Sequence, residues 1–346
     1  MCRRQFECIH QPCRSGRFRG LRKVLALGER IQQRRLADIA TANECDLGVD
    51  MGKIVDVDIG TNEAEIEGTG HMATVLGHSA GDVPDQCPLY HPDMTDLRGR
   101  TVLITGGNGG IGLGIGKACA AAGANIVAWG RNPAKNDNAA AELRSIGVDA
   151  HVLAVDASDE AAIDAGFAQS VDLAGGRIDS VFANAGVGGS GARFPDVSLE
   201  EWRRVMTTNL DGVFLLFRAA ARHMIEHGHG GALVATSSTS AIHGAAGNEA
   251  YGTSKTALLG FCRALAVNLA RYQIRVNSLL PGWTITELAS FGYANDTFRE
   301  ATLKRTPVRR WADPDEMGAA GVFLADPTAT YHTGDSIVVD GGYTIF

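Results

Sequence analysis

Residues 101–124, TVLITGGNGGIGLGIGKACAAAGA, decide the fold because they join an apolar run, a glycine-rich turn and a helix in one short segment. TVLIT is predicted to be a strand, and the helix is predicted to open at about Ile111. The turn places backbone N–H groups and the positive end of a helix where a pyrophosphate can bind. It contains G-x-G-x-x-G at Gly107, Gly109 and Gly112. Such turns also arise for structural reasons alone, but this one lies in the first strand–turn–helix unit, which favours dinucleotide binding.

The rest of the chain repeats the same alternation of strand and helix. Six further apolar runs are nearly continuous, which is the pattern of parallel strands covered on both faces. They are ANIVAW (124–129), AHVLAV (150–155), DSVFA (179–183), GALVATS (231–237), IRVNSLL (274–280) and SIVVD (336–340). Amphipathic helices are predicted at 158–174, 198–227 and 250–272. We therefore predict an α/β fold of the Rossmann type, a doubly wound parallel sheet of about seven strands with helices on both faces.

The residues after the second strand indicate which dinucleotide binds. An acid at this point would bind the ribose 2′-hydroxyl of NAD, whereas an arginine accommodates the 2′-phosphate of NADP. The chain has Trp129, Gly130, Arg131 and Asn132 there, without an acid. We therefore predict that NADP(H) is favoured over NAD(H) and that Arg131 contacts the phosphate. The alternative is that Arg131 is a solvated loop residue. Lys135, in the next turn, would assist Arg131 or face water.

The first 93 residues lack this alternation and have an uneven charge. Residues 1–36 carry ten Lys and Arg against two acids, and residues 37–96 carry thirteen acids against one base. Such a segment fits a targeting peptide, a regulatory tail or a gene start assigned too early. We favour the last, since Met94 opens a short polar lead into the first strand. Residues 1–93 are thus predicted to be a disordered or mis-assigned extension, and residues 94–346 the functional domain.

Composition excludes several classes of function. A formal charge of −7 gives no basic surface for nucleic acid, and no apolar run of about 18 residues predicts a membrane span. Five of the seven cysteines precede residue 94, so the later part shows no disulfide framework, which fits a reducing cytoplasm. Cys8, His10 and Cys13 lack a second ligand pair at zinc-finger spacing, so no metal site is predicted.

Tyr251 and Lys255 stand four residues apart in GNEAYGTSKTALLGF, so on the predicted helix they share one face. Alone, Y-x-x-x-K arises often by chance. Here Ser238 lies thirteen residues before the tyrosine, at the end of a predicted strand. Further motifs occur in order: T-G-x-x-x-G-x-G from Thr105, NAG at 184–186 and PG at 281–282. Together these motifs resemble the short-chain dehydrogenase/reductase family over about residues 97–346.

The resemblance implies an NAD(P)-dependent oxidoreductase that interconverts a ketone and a secondary alcohol. Tyr251 would be the acid in reduction or the base in oxidation, and the Lys255 ammonium would lower the phenol pKa from about 10. Ser238, or its neighbour Ser237, would hydrogen-bond the substrate oxygen, and the thirteen-residue spacing favours Ser238. Asn209 corresponds to the family's helix asparagine, which holds a water in the proton relay.

The resemblance also implies which residues contact the cofactor. The glycine loop would hold the pyrophosphate, residues after the third and fourth strands the adenosine, and residues after the sixth strand the nicotinamide. Asp156 would bind adenine, or instead cap the following helix. The family commonly doubles the asparagine at Asn184, where this chain has Ala183 before it. The predicted cofactor contacts are Gly106, Asn108, Gly110, Ile111, Gly112, Arg131, Asp156, Asn184, Ala185, Gly186, Tyr251, Lys255, Pro281, Gly282, Thr284 and Thr286.

Two segments are predicted to form walls of the substrate pocket. Residues 286–307 suit either a partly apolar lid or a packed surface helix. Residues 186–194, GVGGSGARF, follow the fourth strand. His243 would bond a polar substrate or face the solvent. The apolar side chains that would form the lid are Leu288, Phe291, Tyr293 and Phe298.

The chain has no cluster of Arg and Lys dedicated to a substrate phosphate, so a neutral ketone or secondary alcohol fits. The resemblance implies a sugar, polyol or cyclic alcohol. The alternative is a 3-oxoacyl group on an acyl carrier protein, for which Arg309 and Arg310 offer basic surface. A non-enzymatic nucleotide-binding protein would show a broken catalytic set, whereas this set is complete. The resemblance also implies a homo-oligomer, a dimer or tetramer, formed through the two long helices, and the cysteine usage places it in the cytoplasm.

Overall fold

The described part of the chain is built on one parallel sheet. The computed structural model describes residues 96–346, so the predicted extension, with Cys8, His10 and Cys13, lies outside the described residues. The strands are β1 (Thr101–Thr105), β2 (Asn125–Gly130), β3 (Ala150–Ala154), β4 (Ser180–Ala183), β5 (Gly231–Thr236), β6 (Ile274–Pro281) and β7 (Ser336–Val339). Their order is β3-β2-β1-β4-β5-β6-β7, and every neighbouring pair is parallel. The prediction of a doubly wound parallel sheet is confirmed.

Helices cover both faces of this sheet. In chain order they are α1 (Gly110–Ala121), α2 (Pro133–Arg144), α3 (Glu160–Leu173), α4 (Leu199–Met206), α5 (Gly212–His227), α6 (Glu249–Leu269), α7 (Ser290–Ala294), α8 (Asp296–Arg305) and α9 (Gly318–Ala325). Buried side chains of α1, α2 and α9 form one hydrophobic core with the sheet, and those of α3, α5 and α6 form the other.

Alternate side chains of each strand enter different cores, because successive residues of a strand point to opposite faces. In β1, Leu103 enters the core beneath α3, α5 and α6, whereas Val102 and Ile104 enter the core beneath α1, α2 and α9. None of the three side chains has exposed surface. The continuous apolar runs of the sequence therefore follow from burial on both faces of the sheet.

The segment predicted as one helix at 198–227 is interrupted in the structure. Between α4 and α5 lies a π turn at Thr207–Asp211, which contains one more residue than a turn of α-helix. Asn209 lies in this turn and is fully buried. Apolar residues continue across the turn, so their periodicity alone does not reveal it.

Candidate active site

The predicted site residues converge at the carboxyl ends of four strands. Gly106 follows β1, Asn184 follows β4, Ser238 lies just beyond β5, and Pro281 ends β6. The strand order reverses between β1 and β4, and parallel sheets of this kind bind ligands in the crevice at that point.

The glycine loop has no room for a side chain at Gly112 but has open space at Gly109. A Cβ on Gly112 would lie 2.3 Å from the Gly106 carbonyl oxygen and 2.6 Å from Asn184 Nδ2. Gly106 and Gly110 have φ of 63° and 50°, in the left-handed region that glycine adopts without strain. A Cβ on Gly109, in contrast, would meet nothing within 4 Å.

This open space lies at the amino end of α1. Gly109 occupies the N-cap position and provides no side-chain cap, and the first turn of α1 has no acidic residue. The first N–H groups of a helix have no partner within the helix, and its positive end attracts anions. The space beside Gly109 therefore fits the pyrophosphate of a dinucleotide.

A threonine that the site prediction omitted joins β1 to β4 beneath the crevice. Thr105 Oγ1 accepts hydrogen bonds from the backbone N–H groups of Asn184 and Ala185, both at 3.0 Å. Asn184 Nδ2 donates in return to the Thr105 carbonyl oxygen at 3.1 Å. Thr105 opens the T-G-x-x-x-G-x-G string, which was the signal available in the sequence.

Asn108 connects the glycine loop to the end of β2. Its Nδ2 donates to Asn136 Oδ1 at 2.7 Å, and Asn136 Nδ2 donates to the Gly130 carbonyl oxygen at 2.9 Å. Asn136 is only 5% exposed. Nothing in the local sequence of α2 marks this asparagine as buried, because its role depends on contacts with distant segments.

Arg131 and Asp156 face the same end of the crevice. Arg131 is exposed and follows the last residue of β2. The Asp156 carboxylate accepts hydrogen bonds from the Ser158 hydroxyl at 2.7 Å and the Ser158 N–H at 2.9 Å. The Ser158 hydroxyl is the main reason that the pKa of Asp156 is lowered, and the charge of Arg131 adds to it. The N-cap of α3 is Asp159, so the alternative that Asp156 caps this helix is wrong.

Ser238 and Tyr251 lie in contact at the carboxyl end of β5. Ser238 is 9% exposed, and its Oγ accepts a hydrogen bond from the Ser240 N–H at 3.0 Å. Burial raises the pKa of Tyr251, and a hydrogen bond from the Ser238 side chain opposes that rise. The hydroxyl of Ser237, the alternative partner, donates instead to the Lys255 carbonyl oxygen at 2.7 Å, which favours Ser238.

Lys255 lies one helical turn from Tyr251 on α6, as its spacing predicts. Its ammonium is 5.6 Å from the centre of the Tyr251 ring and donates to the Thr236 carbonyl oxygen at 2.7 Å. The residue is 3% exposed, and burial lowers its pKa to about 8. For Tyr251, burial is the larger effect, and it acts opposite to the lowering of the phenol pKa expected from Lys255.

Asn209 links the segment after β4 to α6. Its Oδ1 accepts from the Val187 N–H at 2.8 Å, and its Nδ2 donates to the Val187 carbonyl oxygen at 2.9 Å and to Ser254 Oγ at 3.2 Å. A Cβ on Gly186 would lie 3.3 Å from Asn209 Oδ1 and 3.4 Å from Lys255 Nζ. Asn209 and Lys255 therefore approach the same point from two helices.

The segment after β6 reaches back over the glycine loop. Gly282 donates its N–H to the Val339 carbonyl oxygen at 2.9 Å, and Thr284 Oγ1 donates to the Gly282 carbonyl oxygen at 3.1 Å. Thr286 Cγ2 lies 3.3 Å from the position that a Cβ on Gly110 would occupy. The crevice is thus bounded on one side by the loop after β1 and on the other by the loop after β6.

An ion pair spans the crevice near Arg131. Lys135, in the first turn of α2, pairs with Glu287 in the loop after β6. The hydrogen bond from the Lys135 ammonium is the main reason that the pKa of Glu287 is lowered. Lys135 therefore does not simply face water, although 44% of its side chain is exposed.

The two predicted walls of the substrate pocket meet. Leu288 Cδ1 lies 3.6 Å from the position of a Cβ on Gly188, in the segment after β4. Leu288 is 56% exposed and Phe291 87%, so this part of the lid segment is unpacked. His243 lies with its ring centre 5.2 Å from that of Tyr343.

The other two aromatic residues of the lid segment contact tryptophan rings, and Tyr293 keeps 38% and Phe298 40% of its surface exposed. The ring centre of Tyr293 lies 5.2 Å from that of Trp311, and the ring centre of Phe298 lies 5.1 Å from that of Trp283. Trp283 and Trp311 stack with a separation of 4.9 Å. The segment thus combines an exposed first part with an anchored second part.

Comparison with known proteins places this geometry in a family. The family model described as "Enoyl-(Acyl carrier protein) reductase" matches residues 106–344. A solved short-chain type dehydrogenase/reductase from Mycobacterium marinum is 35% identical, with a TM-score of 0.69, and the match covers 73% of this chain and 98% of that one. The chain belongs to the short-chain dehydrogenase/reductase family. The family resemblance seen in the sequence is confirmed.

Two further relatives of this short-chain dehydrogenase/reductase have named activities. Sorbose reductase sou1 of Schizosaccharomyces pombe is 38% identical over 262 residues, covering 72% of this chain and 98% of the relative. A solved gluconate 5-dehydrogenase from Burkholderia cenocepacia, in complex with NADP and tartrate, is 33% identical with a TM-score of 0.69, covering 73% of this chain and 98% of that one. The chain is therefore an NAD(P)-dependent oxidoreductase that acts on CH–OH groups, as its sequence predicts.

Three other features of the described residues bear on function. No helix within residues 96–346 combines the length and apolar character needed to cross a membrane. The same residues contain no group of three or more His, Cys, Asp or Glu side chains placed to hold a metal ion. Cys119 and Cys262 are free and buried, and burial raises the pKa of their thiols to about 12 and about 11.

Proposed function

We propose that this enzyme interconverts a secondary alcohol and a ketone on a sugar, sugar acid, polyol or cyclic alcohol, with NADP(H) as the preferred hydride carrier. The observation that carries the proposal is the meeting of Ser238, Tyr251 and Lys255 at the rim of the dinucleotide crevice. The named activities of the two relatives, on sorbose and on gluconate, support the substrate class.

Tyr251 would transfer the proton and Ser238 would hold the substrate oxygen. The Ser238 hydroxyl contacts the tyrosine hydroxyl, so a substrate oxygen bound between them would receive a hydrogen bond from each. The Lys255 ammonium favours the phenolate that forms when Tyr251 gives up its proton. Because the pKa of Lys255 is lowered to about 8, its proton exchanges near neutral pH, and Asn209, which approaches the same point, would hold the water that accepts this proton.

The residues that would hold the cofactor follow from the crevice. The pyrophosphate would bind at the amino end of α1 beside Gly109, and the nicotinamide beside Pro281, Thr284 and Thr286, where it supplies or accepts the hydride. Arg131 would bind the 2′-phosphate, because the end of β2 has no acid to repel it. The NADP bound in the related gluconate 5-dehydrogenase supports this preference.

A 3-oxoacyl thioester on a carrier protein is the second candidate substrate, and the 32% identity over 252 residues to a 3-oxoacyl-[acyl-carrier-protein] reductase of Chlamydia pneumoniae supports it. Carrier recognition would need free basic groups at the entrance. Arg310 is instead paired with Glu316, and Arg309 donates to the carbonyl oxygens of Leu303 and Lys304. These contacts leave less free basic surface, so we favour the small polyhydroxylated substrate.

The test is NADPH oxidation by the full chain with sorbose, 5-ketogluconate, a cyclic ketone and acetoacetyl coenzyme A, with Tyr251→Phe as the control. We expect kcat/KM for at least one of the first three to exceed that for the thioester by about tenfold or more. A preference for the thioester would favour the carrier-linked substrate. Tight NADPH binding without turnover of any ketone would contradict the substrate class, and no binding by folded protein would favour the non-enzymatic alternative.

We also propose that the enzyme is a cytoplasmic homo-oligomer, a dimer or tetramer, formed through α5 and α6. Phe214 on α5 is 45% exposed and Val267 on α6 is 83% exposed, so both helices present apolar surface. Sedimentation at micromolar concentration should give two or four copies, and a monomer would contradict the proposal. Residues 94–346 are proposed to be the functional domain, because the match to sorbose reductase needs only 72% of the chain.

A further inference from the structure

A second cleft lies at the amino ends of the strands, on the edge of the sheet opposite the catalytic crevice. Its wall includes Arg100, Ser180, Gly231 and Ile274, which precede or open β1, β4, β5 and β6. Its volume of about 430 Å³ is in the range of small-molecule sites. These strands have four to eight residues and span about 13–26 Å, so this cleft is separate from the catalytic site.

The side chains that line the cleft carry an excess of positive charge. Arg100, Arg177 and Arg275 are cationic, and Asp179 is the one carboxylate among the described lining residues. Arg275 is 7% exposed and is held by the carbonyl oxygens of Leu324 and Asp326, at 2.8 and 2.9 Å. Its guanidinium is thus a fixed positive charge in the wall, partly balanced by the Asp326 carboxylate behind it.

Asp179 is shared by two arginines, and its single negative charge cannot neutralise both. Arg100 Nη1 and Arg177 Nε donate to the same oxygen, Asp179 Oδ1, at 2.8 and 2.7 Å. The other oxygen, Oδ2, accepts from the Thr101 N–H at 3.0 Å. Two guanidinium charges therefore face one carboxylate. The net positive charge that remains would attract an anion into the cleft.

Both arginines retain donors for such an anion. A guanidinium has five N–H groups in a planar fork, and the bond to Asp179 uses one from each side chain. Arg100 is 35% exposed and Arg177 is 44% exposed, so their remaining groups reach solvent. Two such forks side by side match the oxygens of a phosphate better than those of a single carboxylate.

Other lining residues suit an organic group attached to the phosphate. Ala270, Ile274 and Pro327 provide apolar surface. His229 also lines the cleft, and its Nδ1 lies 2.7 Å from the Gly230 carbonyl oxygen. A phosphate monoester would cover the apolar surface with its carbon skeleton, whereas an inorganic ion on the arginines would leave that surface exposed.

We propose that this cleft binds a small phosphate monoester, with the phosphate on Arg100 and Arg177 and the carbon skeleton against Ile274 and Pro327. The proposal does not depend on the substrate of the catalytic site, because the two clefts lie at opposite edges of the sheet.

The test is calorimetric titration of the full chain with glucose 6-phosphate, inorganic phosphate and glucose, with and without saturating NADP. Arg177→Gln and Arg100→Gln each remove one fork while leaving Asp179 a partner. Arg203→Gln is the matched control, because Arg203 is an exposed arginine on α4, outside the cleft and outside the two helices of the proposed oligomer interface. Thermal unfolding of each variant checks that it is folded.

We expect glucose 6-phosphate to bind in the presence of NADP, inorganic phosphate to bind more weakly, and glucose not to bind. Each cleft variant should weaken the binding of glucose 6-phosphate by about tenfold, as loss of a hydrogen bond between charged groups does, and Arg203→Gln should leave it unchanged. Equal binding by wild type and both cleft variants would overturn the proposal. So would displacement of glucose 6-phosphate by NADP, or the absence of binding by folded wild type at about 10 mM, far above the affinity of a useful site.

Discussion

Replacing Gly112 by alanine tests whether the glycine loop is rigid before any cofactor binds. The added Cβ would lie 2.3 Å from the Gly106 oxygen, 2.9 Å from the Gly106 carbonyl carbon and 2.6 Å from Asn184 Nδ2. The first two are backbone atoms at the end of β1, so they cannot rotate away as a flexible side chain would. Overpacking of this kind costs about 1–3 kcal/mol, and we expect the upper end of the range. For a domain of this size the corresponding loss in Tm is about 6–12 °C.

Gly109→Ala is the matched control in the same loop. Gly109 has φ of 176°, an extended conformation open to any residue, and its Cβ would meet no atom within 4 Å. Alanine is a poorer N-cap than glycine, which lowers the free energy of unfolding by up to about 1 kcal/mol. It also restricts the unfolded chain, which raises the free energy of unfolding by about 0.4–1 kcal/mol. We therefore expect Tm within about 3 °C of wild type. The new methyl group would occupy the space assigned to the pyrophosphate, so NADPH affinity should fall by tenfold or more, about 1.4 kcal/mol.

The assay is thermal unfolding by circular dichroism together with NADPH titration by tryptophan fluorescence, on wild type and both variants. Loss of stability in Gly112→Ala, and loss of affinity without loss of stability in Gly109→Ala, would support the assignment. Wild-type Tm in Gly112→Ala would refute the idea that the loop is rigid. Wild-type NADPH affinity in Gly109→Ala would show that the open space is not part of the cofactor site.

Three further substitutions test the catalytic and cofactor assignments. Tyr251→Phe should keep the fold and NADPH binding but lose about 100-fold or more of steady-state turnover, because the proton donor is gone; wild-type turnover would reject the role of Tyr251. Arg131→Ala should raise the Kd of NADPH by about tenfold and leave that of NADH unchanged, whereas equal losses would show that Arg131 does not contact the 2′-phosphate. For Lys255, burial lowers the pKa from 10.5 to about 8, so between these values the folded chain has released a proton that the unfolded chain keeps. Wild type should therefore gain up to about 3 kcal/mol over Lys255→Met as pH rises through this window, measured by urea unfolding, and a constant difference would contradict the burial of this amine.

Most of the sheet could be predicted from the sequence because its inner strands, β1, β2, β4, β5 and β6, are buried on both faces. IRVNSLL was predicted at 274–280, and β6 spans Ile274–Pro281 with every residue buried. TVLIT was predicted at 101–105, which are the bounds of β1. Such strands appear in the sequence as continuous runs of apolar residues. The glycines that let backbone segments approach closely mark the turn after β1.

Contacts between segments that are distant in the sequence could not be predicted, because no local pattern indicates them. The partner of Asn108 is the buried Asn136, 28 residues away on a helix whose local sequence looks solvated. The pKa of Tyr251 depends on how deeply the phenol is buried, and the four-residue spacing to Lys255 carries no information about that depth. The spacing of polar groups therefore predicted which residues meet, but not the electrostatic environment in which they meet.

The π turn at Thr207–Asp211 makes the length of this region as important as its composition. A π turn holds one residue more than an α-helical turn, so deleting one residue there would let α4 and α5 merge into a regular helix with almost the same relative rotation. Phe217 and Ala220 would therefore stay in the core. Asn209 would lose its bonds to Val187 in the same step. The extra residue thus serves the position of Asn209, and the packing of α5 against the sheet does not depend on it.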